Sequence, residues 1–222
     1  EYVLISEEVM KRNQKEKDMR REKILDVAFR LFVDQKIESV TMGEIAKEAG
    51  IGRATLFRYF PGKLELVIAV NTKKWKDYLD ELDDRRPISS IGDIPAIGRL
   101  TFTLDSYIDM YQNNKDLLRY NDNFNHYVSH SGRKDLKMDE FNKALYSVNT
   151  RLHKMYEKAK EDKTFRTDIP KEEFMRVTVH TMMTACAYYA GGFVWGSKED
   201  TDYTPELIKL KEMILAYATL NR

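Results

Sequence analysis

Apolar residues recur every three to four positions along most of the chain, and strand-type alternation is absent. The pattern predicts an all-α fold. Helix one is expected from near Asp18 to Val33, with Ile24, Leu25, Ala28, Phe29 and Phe32 as its inner stripe. Residues 1–16 carry mixed charge without a partner pattern and read as a flexible arm. Thr41 followed three residues later by Glu44 has the form of a capping box, so a second helix starts there with Ile45, Ala46 and Ala49 on one face. Gly50 then stands where a helix end takes a left-handed residue. Beyond it, Ile51, Leu56 and Phe60 can pack back onto the first helix, which leaves Arg53, Ala54 and Phe57 on another side. This is the outline of a helix-turn-helix.

A long helix follows from Lys63 to about Leu82, and the proline- and serine-containing stretch 83–95 reads as a connector. Further helical patterns cover about 96–112, 115–127, 135–162, 171–190 and 205–220, with Pro170 and Pro205 at first turns and Thr204 as the cap of the last helix. Two domains are expected: residues 1–64, three helices with the arm 1–16, and residues 65–222, a larger helical domain.

Composition narrows the function. A net charge of +1 excludes a wholly basic packaging protein, yet Lys11–Lys63 holds 13 basic and 8 acidic residues, an excess of +5, against −1 for residues 64–222. Positive charge is concentrated around the helical pair. The single cysteine, Cys186, in an apolar run points to a reducing, cytoplasmic setting without structural disulfides. No signal peptide is evident. The uncharged stretch 177–197 contains threonines, a histidine and Gly191-Gly192, so it reads as a buried helix ending near the glycines and not as a membrane span.

A short helix fits the major groove of B-DNA, and the first residues of a recognition helix reach base edges. Arg53 is placed to donate two parallel hydrogen bonds to guanine; Ala54 permits close approach and Phe57 offers an apolar face. Thr55, Arg58, Tyr59 and Lys63 are candidates for phosphate contacts, with Thr41 at the start of helix two completing the set. The segment TMGEIAKEAGIGRATLFRYFPGKLEL resembles the DNA-binding signature of TetR-type transcriptional repressors, through Thr41, Glu44, Ile45, Ala46, Ala49, Gly50, Ile51, Thr55, Leu56, Phe57, Tyr59, Phe60, Lys63 and Leu66. The likeness covers roughly residues 20–66. Gly52 stands where the family usually has serine, and Phe57 where it usually has tyrosine, so a side-chain cap and a hydroxyl contact are lost. The resemblance implies a homodimer on double-stranded operator DNA and a variable helical domain that takes a small-molecule effector.

For that second domain the aromatic residues Tyr107, Tyr111, Phe124, Tyr127, Tyr146, Tyr156, Tyr188 and Trp195 are candidates for a ligand wall, although any one of them is more often plain core. Asp105 and Asp109 read as a solvated acidic face in preference to a site for a cation. The faces Phe174, Val177, Thr181, Ala185 and Leu207, Leu210, Ile214, Tyr217 would form a four-helix dimer interface. His126 and His130 lie one turn apart, but no HExxH or cysteine pair completes a metal site. No cofactor motif and no reactive constellation is visible, so an enzyme is not expected. The rival expectation is a small-molecule carrier or enzyme that keeps the helix-turn-helix only as scaffold.

Overall fold

The computed structural model describes residues 2–85, 92–132, 138–192 and 201–220, and among these every regular element is helical. The order is α1 (Tyr2–Gln35), α2 (Met42–Glu48), α3 (Arg53–Tyr59), α4 (Lys63–Arg85), α5 (Ala96–Asn113), α6 (Lys115–Ser129), α7 (Asp139–Asp162), α8 (Lys171–Met175), a π-helical turn Arg176–His180, α9 (Thr181–Gly191) and α10 (Thr204–Thr219). The chain forms two compact units, Glu1–Lys73 with Asn123–Phe141, and Lys74–Asp122 with Asn142–Arg222. The division runs through α4 rather than ahead of it at residues 64 and 65. Leu64, Leu66, Val67 and Val70 are buried along its first turns.

In the first unit Ile24, Leu25, Ala28 and Phe32 of α1 are fully buried, as their spacing predicts, together with Ile37, Ile45, Leu56, Leu66 and Val67. One element differs. The expected arm is helical from Tyr2, and α1 runs 34 residues. Residues 1–35 hold no proline or glycine and many Lys, Arg, Glu and Gln, all good helix formers. Pairs one turn apart add to this: Gln14 donates to Asp18 at 2.8 Å and Arg12 lies 3.9 Å from Glu16. These propensities continue the helix without burial, and Val9, Met10 and Met19 remain exposed on it. Lys73 of α4 pairs with Glu22 of α1 at 2.7 Å.

Asn71 on α4 is fully buried, and neither the oxygen nor the nitrogen of its amide has a hydrogen-bond partner among the described residues. A buried amide without partners costs about 1–3 kcal/mol. Asn71→Leu, which keeps the volume and removes both polar atoms, is therefore expected to raise the unfolding free energy by about 1–2 kcal/mol in urea titrations. A loss of stability would instead reveal a buried water serving the amide.

In the second unit α5 packs against α9 and α10. Leu100, Leu104, Phe174, Met182, Cys186 and Leu207 are fully buried there. The start of α5 follows Pro95, which supplies no side-chain cap. That role falls to the end of α7: Asp162 accepts from the Ala96 N–H at 2.8 Å and the Thr164 N–H at 3.0 Å, and the Thr164 hydroxyl accepts from Ile97 at 3.0 Å. The loop 164–170 is tied to α10 as well. Arg166 donates its N–H to Ala218 at 2.7 Å, clamps Asp168 through two guanidinium nitrogens, and lies 4.8 Å over the Tyr217 ring. At α10 the expected cap moves by two residues. Thr204 is inside the helix, and Asp202 accepts from its N–H at 3.0 Å and its hydroxyl at 2.7 Å.

Burial alone would raise the Asp162 carboxyl, but the Ala96 and Thr164 donors outweigh it and hold the group below its ordinary 3.8. A depressed folded value means that its stabilisation is present above pH 3.8 and is lost as pH falls through the folded value. Asp162→Ala is expected to cost about 1 kcal/mol at pH 7. The gap from the parent should narrow as thermal melts are taken below pH 3.8.

Candidate functional site

The first unit builds a small exposed platform from α2 and α3. The Thr41 hydroxyl accepts from the Glu44 N–H at 3.2 Å while the Glu44 carboxylate accepts from the Thr41 N–H at 2.7 Å, which closes the capping box. These contacts, first that from the Thr41 backbone, hold the Glu44 carboxyl below its ordinary value. α2 ends as its sequence requires: Gly50 has φ +69°, its N–H reaches Lys47 at 3.1 Å, and the Ile51 N–H reaches Ala46 at 2.9 Å. α3 starts at Gly52 without a side-chain cap, as the loss of serine there predicts. Leu56 and Phe60 are buried beneath it, with Arg21 of α1 lying 5.4 Å from the Phe60 ring centre.

Arg53, Ala54, Phe57 and Arg58 are exposed on this platform, and Thr55 and Tyr59 are partly so. The Arg53 side chain lies over α2, with Nε and Cζ 3.8 and 3.9 Å from where a Cβ would stand at Gly43. Arg58 donates to the Thr55 hydroxyl at 3.2 Å, so these two act as a pair. Lys63 is different. Its ammonium donates to the Glu38 carbonyl at 3.0 Å and lies 5.5 Å from the Tyr127 ring centre. Desolvation lowers its pKa despite Glu38 and Glu44. Lys63 thus ties the α1–α2 corner to α4 and to Tyr127 in the free protein, and is not an unengaged phosphate hook.

The second unit holds a cavity of about 290 Å³. Trp75, Leu79 and Leu82 of α4, Phe102 of α5, and Leu152 and Met155 of α7 form its apolar walls. Polar groups enter from the same helices: Asp83, Arg99, Ser106, Tyr107 and Arg151. Trp75 is held by donating its indole N–H to Asn121 at 3.2 Å, and Tyr78 by donating its hydroxyl to the Ser106 carbonyl at 2.9 Å. Burial pushes Tyr107 up to about 12.

Of the six described aromatic residues expected to line a pocket, the structure brings Tyr107 alone to this cavity. Tyr111 is core, its hydroxyl accepting from the Tyr203 N–H at 3.1 Å. Tyr156 is core too, donating its hydroxyl to Ile169. Phe124 is buried in the first unit, 6.0 Å from Phe141, and Tyr127 stands there beside Lys63. Tyr188 is 57% exposed. The side chain of Tyr146 and the whole of Trp195 lie outside the described residues. Trp75, Tyr78 and Phe102 were missed as wall residues, because which helix face meets a cavity is set by packing between helices and not by spacing within one.

The expected dimer faces divide similarly. Phe174, Leu207 and Ile214 point into their own unit's core, whereas Val177 is 41% exposed, Thr181 is exposed, and Ala185, Leu210 and Tyr217 are partly covered. Tyr188, Ile208 and Met213 are further exposed apolar residues on the same helices. Asp105 and Asp109 are not a free acidic face: they pair with Lys211 at 2.7 Å and Arg85 at 3.1 Å. His126 and His130 are exposed with ring centres 4.3 Å apart, and no group of three metal-ligating side chains occurs among the described residues. No helix of the described residues is long and apolar enough to cross a membrane.

Because Lys63 is already engaged, Lys63→Ala is expected to lower the melting temperature while leaving the salt dependence of DNA binding nearly unchanged. Arg58→Ala should instead reduce the slope of log K against log salt by about 1. Measured slopes that fall equally in both variants would return Lys63 to the phosphate contacts.

Comparison with known proteins agrees with this geometry. Residues 24–70 match the family described as bacterial regulatory proteins, tetR family, a span that runs from the α1 core through the platform into α4. An HTH-type transcriptional regulator of Staphylococcus aureus (strain bovine RF122 / ET3-1) is 42% identical over 50 residues, 22% of this chain. The alignment spans only 27% of that relative's length. Over the whole chain the likeness is one of fold. A TetR family transcription regulator from Marinobacter aquaeolei VT8 superposes with a TM-score of 0.66 at 17% identity, covering 94% of this chain and 100% of the other. The transcriptional regulator FadR from Bacillus subtilis, solved in complex with stearoyl-CoA, gives 0.65 at 12% identity, covering 88% and 98%. Residues 24–70 thus carry a segment of the tetR family's kind, and the chain as a whole shares the fold of these regulators.

Proposed function

We propose that the protein is a dimeric repressor that seats α3 of each protomer in successive major grooves of an operator and is released by a small, partly apolar effector held in the cavity of the second unit. The observation that carries the DNA-binding part is the α2–α3 platform: a closed capping box, a left-handed Gly50 and an exposed set of Arg53, Ala54 and Phe57 on a buried base of Leu56 and Phe60. Arg53 reads a base edge, while Thr41, Thr55, Arg58 and Tyr59 position the backbone of the duplex. Two such helices on one face of B-DNA stand roughly 34–36 Å apart. The exposed apolar residues Val177, Tyr188, Ile208 and Met213 on the C-terminal helices support pairing of two copies there.

The effector is smaller than the ligand of the FadR structure. A volume of about 290 Å³ sits at the lower end of ligand pockets, roughly 300–1,000 Å³, and has no room for a long acyl chain carrying coenzyme A. Release requires that the effector bind the DNA-incompetent arrangement more tightly than the competent one. The one carboxylate among the cavity's described lining residues is paired with an arginine, which supports a binding role over an enzymatic one.

Arg53→Ala is expected to erase most discrimination between operator and random duplex, roughly 1–3 kcal/mol at one base pair, while leaving salt-sensitive retardation. Competition gel shifts with both duplexes measure this. Equal discrimination by variant and parent would remove Arg53 from base recognition, and no retardation of any duplex by the parent would end the proposal.

A further inference from the structure

The effector cavity is unbalanced in charge. Its described lining includes three cations, Arg99, Arg151 and Lys154, against the single carboxylate of Asp83. Two of the cations come from α7 and one from α5, while Asp83 belongs to the C-terminal part of α4. Arg151 pairs with Asp83. Its side chain is 20% exposed and desolvation lowers its pKa, so its charge sits where water screens it poorly. Arg99 spends its guanidinium on neutral acceptors, the carbonyls of Ile94 at 2.9 Å and Gly92 at 3.0 Å, and pairs with no carboxylate among the described residues. Tyr107 adds a phenol to the same lining. The remaining surface is apolar, led by Trp75, Phe102 and Leu152.

Resting on the proposal that this cavity takes the effector, we infer that the effector is a compact monocarboxylate with an apolar body, whose carboxylate takes Arg151 from Asp83. At interior packing density the volume accommodates roughly a dozen non-hydrogen atoms. A carboxylate matches the planar fork of Arg151 with two parallel bonds, which a neutral amide does not. A cationic ligand would meet three like charges and one carboxylate that is already paired. Asp83 is in this scheme an internal competitor: it holds the arginine while the cavity is without effector, and displacing it breaks the tie between α4 and α7 within the second unit. The ligand's class and the change it induces then come from the same pair of side chains.

Three probes of equal bulk test this: 4-phenylbutyrate, 4-phenylbutanamide and 4-phenylbutylamine, titrated calorimetrically into the full chain without DNA. The acid is expected to bind about tenfold tighter than the amide, the ratio of a charge-assisted to a neutral contact, and the amine not at all. Arg151→Gln should bring acid and amide together. Asp83→Asn should strengthen the acid by about tenfold and leave the amide unchanged, an increase that a merely structural ion pair would not give. Amide binding equal to acid in the unaltered protein, preference for the amine, no binding of the acid, or weaker acid binding by Asp83→Asn would each overturn the inference. The acid-to-amide comparison needs no variant and so stands even if Arg151→Gln folds poorly. Acid binding that leaves operator retardation unchanged would sink release by effector but not the ligand class. Retardation relieved by some other compound while the acid fails to bind would sink the class and leave release standing.

Discussion

Seven residues of helix contain too few internal hydrogen bonds to persist in water, and this constraint governs the helix-turn-helix end of the molecule. α3 spans only Arg53–Tyr59 and begins at a glycine without a side-chain cap. It exists because Leu56 and Phe60 are buried against the rest of the unit and because Gly50, in a backbone region closed to most side chains, aims the chain correctly. Hence the exposed residues are free to vary. Arg53, Ala54 and Phe57 contribute little to holding the helix, while Leu56 and Phe60, which hold it, are buried away from that exposed face. Stability and recognition are divided between opposite faces of the same two turns.

Similar economy is seen where the second unit begins and ends its helices. Pro95 and Tyr203 give α5 and α10 no side-chain cap of their own. The missing acceptors arrive from Asp162 at the end of α7 and from Asp202 just ahead of α10. Asp162 in particular serves two N–H groups 68 residues apart, those of Ala96 and Thr164, so the end of α7 and the start of α5 are fixed by one carboxylate. The cavity lies between these same helices and α4, and its walls are therefore anchored at residues that do not line it.

What was legible in the sequence follows from the range of the interactions. Thr41 and Glu44 are three residues apart, and Gly50 acts on carbonyls within the preceding turn, so α2, the turn and α3 could be placed from local chemistry alone. The inner stripe of α1 was equally plain, because one helix with one buried face obeys a simple period. Its N-terminal extent was not, since α1 continues on propensity and i, i+4 pairs without any apolar stripe. The cavity was the least legible part. Tyrosines recur at helical spacing throughout α5, α6 and α7, and only their long-range partners decide their role: the Tyr203 N–H makes Tyr111 core, Lys63 claims Tyr127, and Tyr107 is left facing space. The spacing says that a residue faces inward; it does not say whether anything else is there.

Size also limits how the proposed release can work. A ligand of roughly a dozen non-hydrogen atoms, at about 0.3–0.5 kcal/mol per atom, binds with roughly 4–6 kcal/mol. Turning a population from 1:99 to 99:1 takes a preference of about 5.5 kcal/mol between the two states. Nearly all of the affinity must then be selective, so a pocket that merely engulfed an apolar body equally in both states would move nothing. Contacts with Trp75, Phe102 and Leu152 are of that indifferent kind unless the walls themselves move. A charged contact that one arrangement denies to the ligand, because Asp83 occupies Arg151, and the other grants is selective by construction. In a cavity this small, the discriminating energy has to come from exchanging partners at the ion pair, and the apolar walls serve chiefly to keep water from weakening it.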